Sequence, residues 1–337
     1  MNIEDEFVSF LGGAGVLAML SDDTGSQILR SELMKSETFT AFRKVRQEDP
    51  GWIQSTAKHF QKDKNLSNVR SRLGELRAYS DLLLLPGYKV KSNSAKRGGA
   101  DFSLENKHTK QKLKVEVYTQ GPKPGCETPS VKTPTAKEPM VETVVTSLRS
   151  WITDRAGDTT QSRTIKNIAG AKKDAHQVDS NSPTYLYIDF QTLWGFGCEQ
   201  SLPILSQRDL LTAGACWMAF YGRKGMPILE NTRFGEPMSS LAKMSDEGFF
   251  FKSPTNQFAG ALLRSERKGE NPLVFLMNPT RPTAGEFIVA LMQSGLLNVE
   301  KSCWDFDGVQ AQVDCLNKKV KDVVSEFERI QEEMQKQ

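Results

Sequence analysis

The chain has 337 residues, with 44 Lys plus Arg against 41 Asp plus Glu, and a formal net charge of +3. This balance excludes histone-like proteins, whose affinity for nucleic acid depends on the release of many counterions. Five Cys without a CxxC pair and three His without an HExxH sequence argue against a disulfide framework and a zinc site. We therefore expect a reducing, cytoplasmic environment.

Residues 1–68 are predicted to form a helical N-terminal extension. The apolar residues 7–20 are too few for a membrane span, which needs about 20. They also follow acidic residues rather than the basic start of a signal peptide. We interpret them as a buried helix and its turn, and expect no membrane partner. A helical period covers residues 26–47, and Asp49-Pro50-Gly51 is predicted to end it.

Residues 69–191 alternate between helical and strand patterns and are predicted to form an α/β core. A helix is expected at residues 69–84. Three short strands then follow, and later a buried strand at residues 185–190. The three strands are predicted at residues 88–91, 100–104 and 113–119, and two further helices near residues 140–151 and 164–178.

Residues 192–308 are predicted to be an α/β C-terminal extension packed on this core. The strand candidates are residues 216–221, 248–252 and 273–277, and the helix candidate is residues 283–294. Strands mixed with helices of this length favour a mixed α/β or α+β fold over a helical bundle or a β-sandwich.

The last segment, residues 309–337, has a heptad pattern. Apolar residues recur at spacings of four and three over more than three repeats: Val309, Val313, Leu316, Val320, Val323, Phe327, Ile330 and Met334. One interpretation is a coiled coil that forms a homodimer. The other is a long terminal helix packed on the N-terminal helices of the same chain.

Three acidic residues lie on consecutive predicted elements that could bring them together in one site. Glu75 lies in the predicted helix, Asp101 begins a predicted strand, and Glu116 lies within the next strand between two valines. A carboxylate in a strand is costly unless it faces solvent, a partner or a metal. Pairing of the two strands would bring Asp101 and Glu116 together, and two close carboxylates share a proton or bind a cation. Divalent ions such as Mg²⁺ prefer such oxygen ligands.

The helix with Glu75, then Gly98-Gly99-Ala100-Asp101-Phe102, then Val115-Glu116-Val117-Tyr118, resembles the core of the PD-(D/E)xK nuclease superfamily. The resemblance covers residues 69–191 and is that of a divergent member. It implies a restriction-endonuclease-like mixed sheet flanked by helices, and hydrolysis of phosphodiesters in nucleic acid, DNA before RNA. Asp101 and Glu116 would bind Mg²⁺ or Mn²⁺, and Glu75 would be an additional acid. Restriction, repair and defence are the roles that the family suggests.

The chain departs from the family pattern at Tyr118, where a Lys usually orients the attacking water. The resemblance implies a substitute from the helix near residues 164–178, with Lys166, Lys172 and Lys173 as candidates. We place Lys172 with Glu75, Asp101 and Glu116 in the expected catalytic set. The alternative is a catalytically inactive module that binds nucleic acid or a protein partner.

Residues 89–114 carry eight Lys or Arg against two acidic residues, in a chain that is nearly neutral overall. A local basic surface of this kind is what a phosphate backbone requires. The alternative is a solvated hairpin, whose lysines protect an exposed sheet edge from pairing with other chains.

Overall fold

The structure is a computed structural model that describes residues 2–12, 37–62, 65–93, 99–119, 182–189, 220–221, 248–252, 257–264, 271–299 and 302–308, together with single positions between 311 and 334. The predicted helices near residues 140–151 and 164–178, with Lys172, lie outside the described residues.

Five helices have both ends among the described residues. They are α1 (Ile3–Phe10), α2 (Glu37–Glu48), α3 (Pro50–Phe60), α4 (Leu66–Leu82) and α5 (Gly285–Gln293). The break at Asp49-Pro50-Gly51 is confirmed, and the same residues also start α3. Asp49 caps that helix by accepting a hydrogen bond from the Trp52 N–H at 3.0 Å, and Pro50 occupies its first turn.

A six-stranded mixed sheet runs in the order β1-β2-β3-β4-β5-β6. The first three strands pair antiparallel, β3-β4 and β4-β5 pair parallel, and β5-β6 is antiparallel again. The strands are β1 (Tyr88–Ser92), β2 (Phe102–Asn106), β3 (Lys112–Thr119), β4 (Thr184–Asp189), β5 (Gly260–Arg264) and β6 (Leu273–Met277). The mixed α/β content agrees with the sequence prediction.

The main hydrophobic core lies between the helices and one face of this sheet, which we call the inner face. It is the face that carries Phe102, Val115 and Tyr187. The ring of Tyr79 in α4 lies 5.0 Å from that of Phe102, and the ring of Phe287 in α5 lies 4.6 Å from that of Tyr185. The sheet is therefore packed against both helices on this side.

The opposite, outer face differs between the two halves of the sheet. Nearly every residue of β4, β5 and β6 is buried, so both faces are covered there. In β1 and β2, buried residues alternate with more exposed ones, so the outer face of this half lies open to solvent. The open half carries the polar residues discussed below.

The strand predicted at residues 248–252 is wrong, and the two described residues of the candidate at residues 216–221 are not in a strand either. Phe220 and Tyr221, from the candidate at residues 216–221, are helical, and Phe249–Phe251, from the candidate at residues 248–252, form a 3₁₀ turn. A strand would separate adjacent phenylalanines to opposite faces, whereas the turn leaves both Phe249 and Phe250 packed against Phe220. Gly248 permits this packing, because a Cβ there would lie 2.3 Å from the Phe220 carbonyl oxygen.

In the C-terminal segment, the described positions are helical and exposed. They include two residues of the apolar seam, Ile330 and Met334, which are 42% and 71% exposed. Within the part of the chain that the structure describes, no helix combines the length and the apolar character that a membrane crossing requires.

Candidate functional site

Asp101 lies one residue before β2, and Glu116 lies within β3. The ladder ends with the pair Phe102–Val115, so the next residue on each strand is Asp101 on one side and Glu116 on the other. The Val117 N–H donates a hydrogen bond to Asp101 Oδ2 at 2.8 Å. The side chain of Asp101 thus takes the place of a backbone acceptor where the ladder of β2 ends.

The two carboxylates differ in their surroundings. Asp101 is partly exposed at the end of the strand, whereas Glu116 is only 2% exposed. On its other side, Glu116 is paired with Leu186 of β4, which is fully buried. An apolar neighbour weakens the solvation of a carboxylate, and a second carboxylate adds repulsion, so a bound cation would stabilise both.

Tyr118 shares the outer face with Glu116, because residues two apart in a strand point to the same side. Its side chain is half-buried, and burial raises the pKa of its hydroxyl above the usual value. Tyr118 therefore remains neutral in the physiological range. It offers a hydrogen-bond donor next to the carboxylates but not the positive charge of a lysine.

Glu75 is placed in α4 and forms an ion pair with Arg72, with 2.8 Å between Oε2 and Nη1. The neighbouring residue Gly74 lies against the end of β3, where an added Cβ would come within 1.9 Å of Thr119 Oγ1. Across the described residues, no cluster of three or more His, Cys, Asp or Glu side chains is arranged to hold a metal ion. The structure thus brings together Asp101 and Glu116, without Glu75 as a third member of a cluster.

Four lysines share the outer face with the two acids. They form two rows across the antiparallel strands β1, β2 and β3, which the pairing register defines. The first row is Lys91, Ser103 and Lys114, and the second is Lys89, Glu105 and Lys112. Lys89, Lys91 and Lys112 are exposed and Lys114 is partly exposed. The basic stretch in the sequence therefore becomes a basic surface beside the acids.

The inner face also carries a group of buried ions that the sequence pattern did not predict. Arg77 in α4 donates from Nε to Asp189 Oδ2 at 2.8 Å, and Arg264 donates from Nε to Asp81 Oδ2 at 2.7 Å. The Tyr187 hydroxyl also donates to Asp81, at 2.6 Å. The sequence contained one indication of these ions, because Arg77 and Asp81 are spaced at one helical turn among the buried apolar residues of α4. These ions connect α4 to β4 and β5, so we assign them a structural role.

A depression of about 400 Å³ lies at the opposite end of β2 and β3, where Thr109, Gln111 and Glu286 are among its lining residues. Glu286 Oε2 already accepts hydrogen bonds from Thr109 at 2.9 Å and from Asn106 at 3.2 Å. We therefore prefer the carboxylate pair as the candidate site, since it combines two close acids with nearby basic residues.

Comparison of the chain with protein-family models, with curated proteins and with solved structures gave no match.

Proposed function

We propose that the protein is a metal-dependent nuclease that hydrolyses phosphodiester bonds in nucleic acid, with DNA as the first substrate to test. The observation that carries this proposal is the adjacency of Asp101 and Glu116, fixed by the hydrogen bond from the Val117 N–H. Two carboxylates on neighbouring strands leave room for waters, which is how Mg²⁺ is usually held in proteins.

The proposal includes a restriction-endonuclease-like fold. Its support is the arrangement of α4, the antiparallel strands β1 to β3, and β4 added parallel to β3. The resemblance implies an acid at the start of the second strand and an acid within the third. Asp101, one residue before β2, and Glu116, within β3, are the residues that we propose for these positions.

Asp101 and Glu116 would hold the Mg²⁺ or Mn²⁺ ion through their oxygens. When bound, the ion would supply a positive charge beside the phosphate and make a water more acidic. The hydrogen bond from the Val117 N–H holds the Asp101 carboxylate against β3, and Leu186 excludes water from one side of Glu116. Tyr118 would donate a hydrogen bond from its neutral hydroxyl to an oxygen at this site.

Lys172 is our first candidate for the lysine that orients the attacking water, and Lys166 and Lys173 are further candidates. All three lie outside the described residues. A cationic donor next to the developing charge typically contributes about 100-fold or more to the rate.

A second candidate function is a module that binds nucleic acid or a protein partner without cleaving it. The observation in its favour is Tyr118, because a half-buried neutral phenol occupies the position where the family usually has a lysine. This alternative predicts salt-sensitive binding and no turnover with any divalent metal.

The deciding experiment measures cleavage of single- and double-stranded DNA and RNA with Mg²⁺, with Mn²⁺ and with a chelator. We expect Asp101→Asn and Glu116→Gln to reduce metal-dependent cleavage by at least about 100-fold. Asp5→Asn and Glu4→Gln are matched controls, since both acids are exposed in α1. Cleavage that persists in both site variants contradicts the nuclease, and binding without cleavage in the wild type supports the second candidate.

A further inference from the structure

The rows of lysines lie in line with the carboxylate pair on the outer face. Along β3, Glu116, Lys114 and Lys112 follow one another at every second residue. The register places Ser103 and Glu105 of β2 beside the two lysines, and Asp101 directly precedes β2. Residues two apart in an antiparallel strand are about 6.8 Å apart. The surface therefore presents the acid pair and the two basic rows at regular steps in one direction.

The first row contains three side chains that can donate hydrogen bonds. Ser103 lies between Lys91 and Lys114, and its Oγ accepts a hydrogen bond from Asn93 Nδ2 at 2.6 Å. Because that oxygen is already an acceptor for Asn93, the hydroxyl hydrogen points elsewhere and can be donated to a ligand. Two cationic side chains and one oriented hydroxyl form a suitable group of donors for a phosphate oxygen.

The second row is weaker. Glu105 is paired with both Lys89 and Lys112 across the ladder, so the net charge of the row is one positive unit rather than two. Of the two rows, the first therefore has the larger excess of basic over acidic residues, and it is the row nearer to Glu116.

The open outer face of β1 and β2 favours a single strand. Open sheet faces and basic surfaces that follow the backbone are common binding sites for single-stranded nucleic acid. The spacing of the rows fits successive phosphates, and the comparison of single strand with duplex is left to the experiment.

We propose that the outer face of β1 to β3 binds one extended, single nucleic-acid strand along the direction of β3. Successive phosphates would lie at the second row, at the first row and at the carboxylate pair. The assignment of the last position to a reacting phosphate rests on the proposed function, whereas the binding of the strand by the lysines does not.

Binding is measured by fluorescence anisotropy of a labelled single-stranded oligo-dT at several salt concentrations, with a chelator present so that no cleavage occurs. Each phosphate contact on a single strand contributes about 0.7 to the slope of log K against log salt. We expect Lys91→Gln/Lys114→Gln to lower the slope by about 1.4. Lys58→Gln/Lys62→Gln, at and just beyond the end of α3, changes the net charge equally and should leave the slope unchanged. Circular dichroism checks that all variants are folded.

Three further arms test the specificity of the surface. Glu105→Gln should tighten binding of oligo-dT, because it removes the negative charge between Lys89 and Lys112. A fully paired duplex of the same length should bind more weakly than the single strand. Two other polyanions, polyglutamate and vesicles that contain phosphatidylserine, test for binding by charge alone. We expect them to bind Lys91→Gln/Lys114→Gln as well as they bind the control variant.

The inference is overturned by an unchanged slope for oligo-dT, by equal or tighter binding of the duplex, or by an effect of the lysines confined to vesicles or polyglutamate. Its failure is distinguishable from that of the nuclease. Binding that depends on the lysines, together with no cleavage in the presence of any metal, would support the binding surface and contradict the nuclease. Cleavage that requires Asp101 and Glu116, together with lysine variants that bind as tightly as the wild type, would support the nuclease and contradict the binding surface.

Discussion

Arg264 in β5 and Asp81 in α4 form a buried ion pair, with 2.7 Å between Nε and Oδ2 and side chains that are 5% and 6% exposed. Tyr187 donates to the same carboxylate, so one aspartate of the helix connects two parallel strands. Water has little access to this pair, because the residues of β4 and β5 are buried.

Arg264→Met is expected to lower the free energy of unfolding by about 3–5 kcal/mol, because it leaves Asp81 as a buried charge without its cation. Urea denaturation monitored by circular dichroism measures the change. Arg43→Met, at an exposed position of α2, is the control and should change stability by less than about 0.5 kcal/mol. A loss for Arg264→Met as small as that of the control contradicts the structural role.

Gly74→Ala is expected to be strongly destabilising, because the added Cβ would come within 1.9 Å of Thr119 Oγ1 and 3.0 Å of Asp189 Oδ2. Thr119→Ala removes the nearer of these atoms, so the double variant should recover part of the loss. The thermal unfolding midpoints of the two single variants and the double variant give the coupling between the sites. Additive effects would show that α4 is not in close contact with the end of β3.

Alkaline pH should destabilise the protein through its buried tyrosines. Burial raises the pKa of Tyr185 to about 12, although its hydroxyl accepts a hydrogen bond from the Ala284 N–H at 3.0 Å. The folded state therefore holds this proton more tightly than the unfolded chain, whose tyrosines ionise near pH 10. The stabilisation is complete below pH 10 and is lost between pH 10 and 12, by up to about 3 kcal/mol.

The measurement is urea denaturation of the wild type and of Tyr185→Phe at pH 9, 10, 11 and 12. The stability of the variant should fall less steeply over this interval, because phenylalanine has no proton to lose. Parallel pH profiles would mean that the Tyr185 hydroxyl ionises equally in both states.

The proposed water-orienting lysine gives a fourth prediction. If Lys172 acts in the nuclease, Lys172→Gln should lower cleavage by about 100-fold. Tyr118→Lys in the same chain should restore part of the activity, because it returns a lysine to the outer face two residues after Glu116. Lys58→Gln is the control. Full activity in Lys172→Gln would remove this lysine from the mechanism, and Lys166 and Lys173 would then be tested in the same way.

The C-terminal helix gives a fifth prediction. We expect Ile330→Glu/Met334→Glu to convert a homodimer to a monomer, because both seam residues are exposed in the single chain and would be covered by a second copy. Size exclusion with light scattering measures the mass. Ser325→Glu adds a charge away from the seam and should leave the dimer intact. A chain that ends at Gly308 should be a folded monomer. If that shortened chain is unfolded instead, the result would favour a terminal helix that packs on the N-terminal helices of the same chain.

Much of the first half of the sheet could be predicted from the sequence. Strict alternation in β1 and in the first part of β3 made these strands recognisable, and strand order alone placed Asp101 next to Glu116. The start of β2 was predicted two residues early, because Ala100 and Asp101 continue the pattern without entering the ladder. What remains a proposal is the chemistry of the two acids.

The second half was less predictable for physical reasons. The short β5 segment, Gly-Ala-Leu-Leu-Arg, has neither alternation nor a high β propensity, and the buried pairing on both sides holds it as a strand. The phenylalanines at residues 249–251 resemble a strand, but their packing against one another requires a turn. In both places, contacts with distant residues decide the local structure.

The pairing order of the strands also has a kinetic consequence. The pairs β1-β2 and β2-β3 join segments that are close in sequence, whereas Thr119 ends β3 and its neighbour in the sheet begins only at Thr184. Closing long loops slows folding, so the three-stranded meander should form before the parallel strands join it. Pulse-labelled hydrogen exchange should show early protection in β2 and β3, and simultaneous protection of β4 would contradict this order. The two carboxylates would then be neighbours before most of the core that surrounds Glu116 has formed.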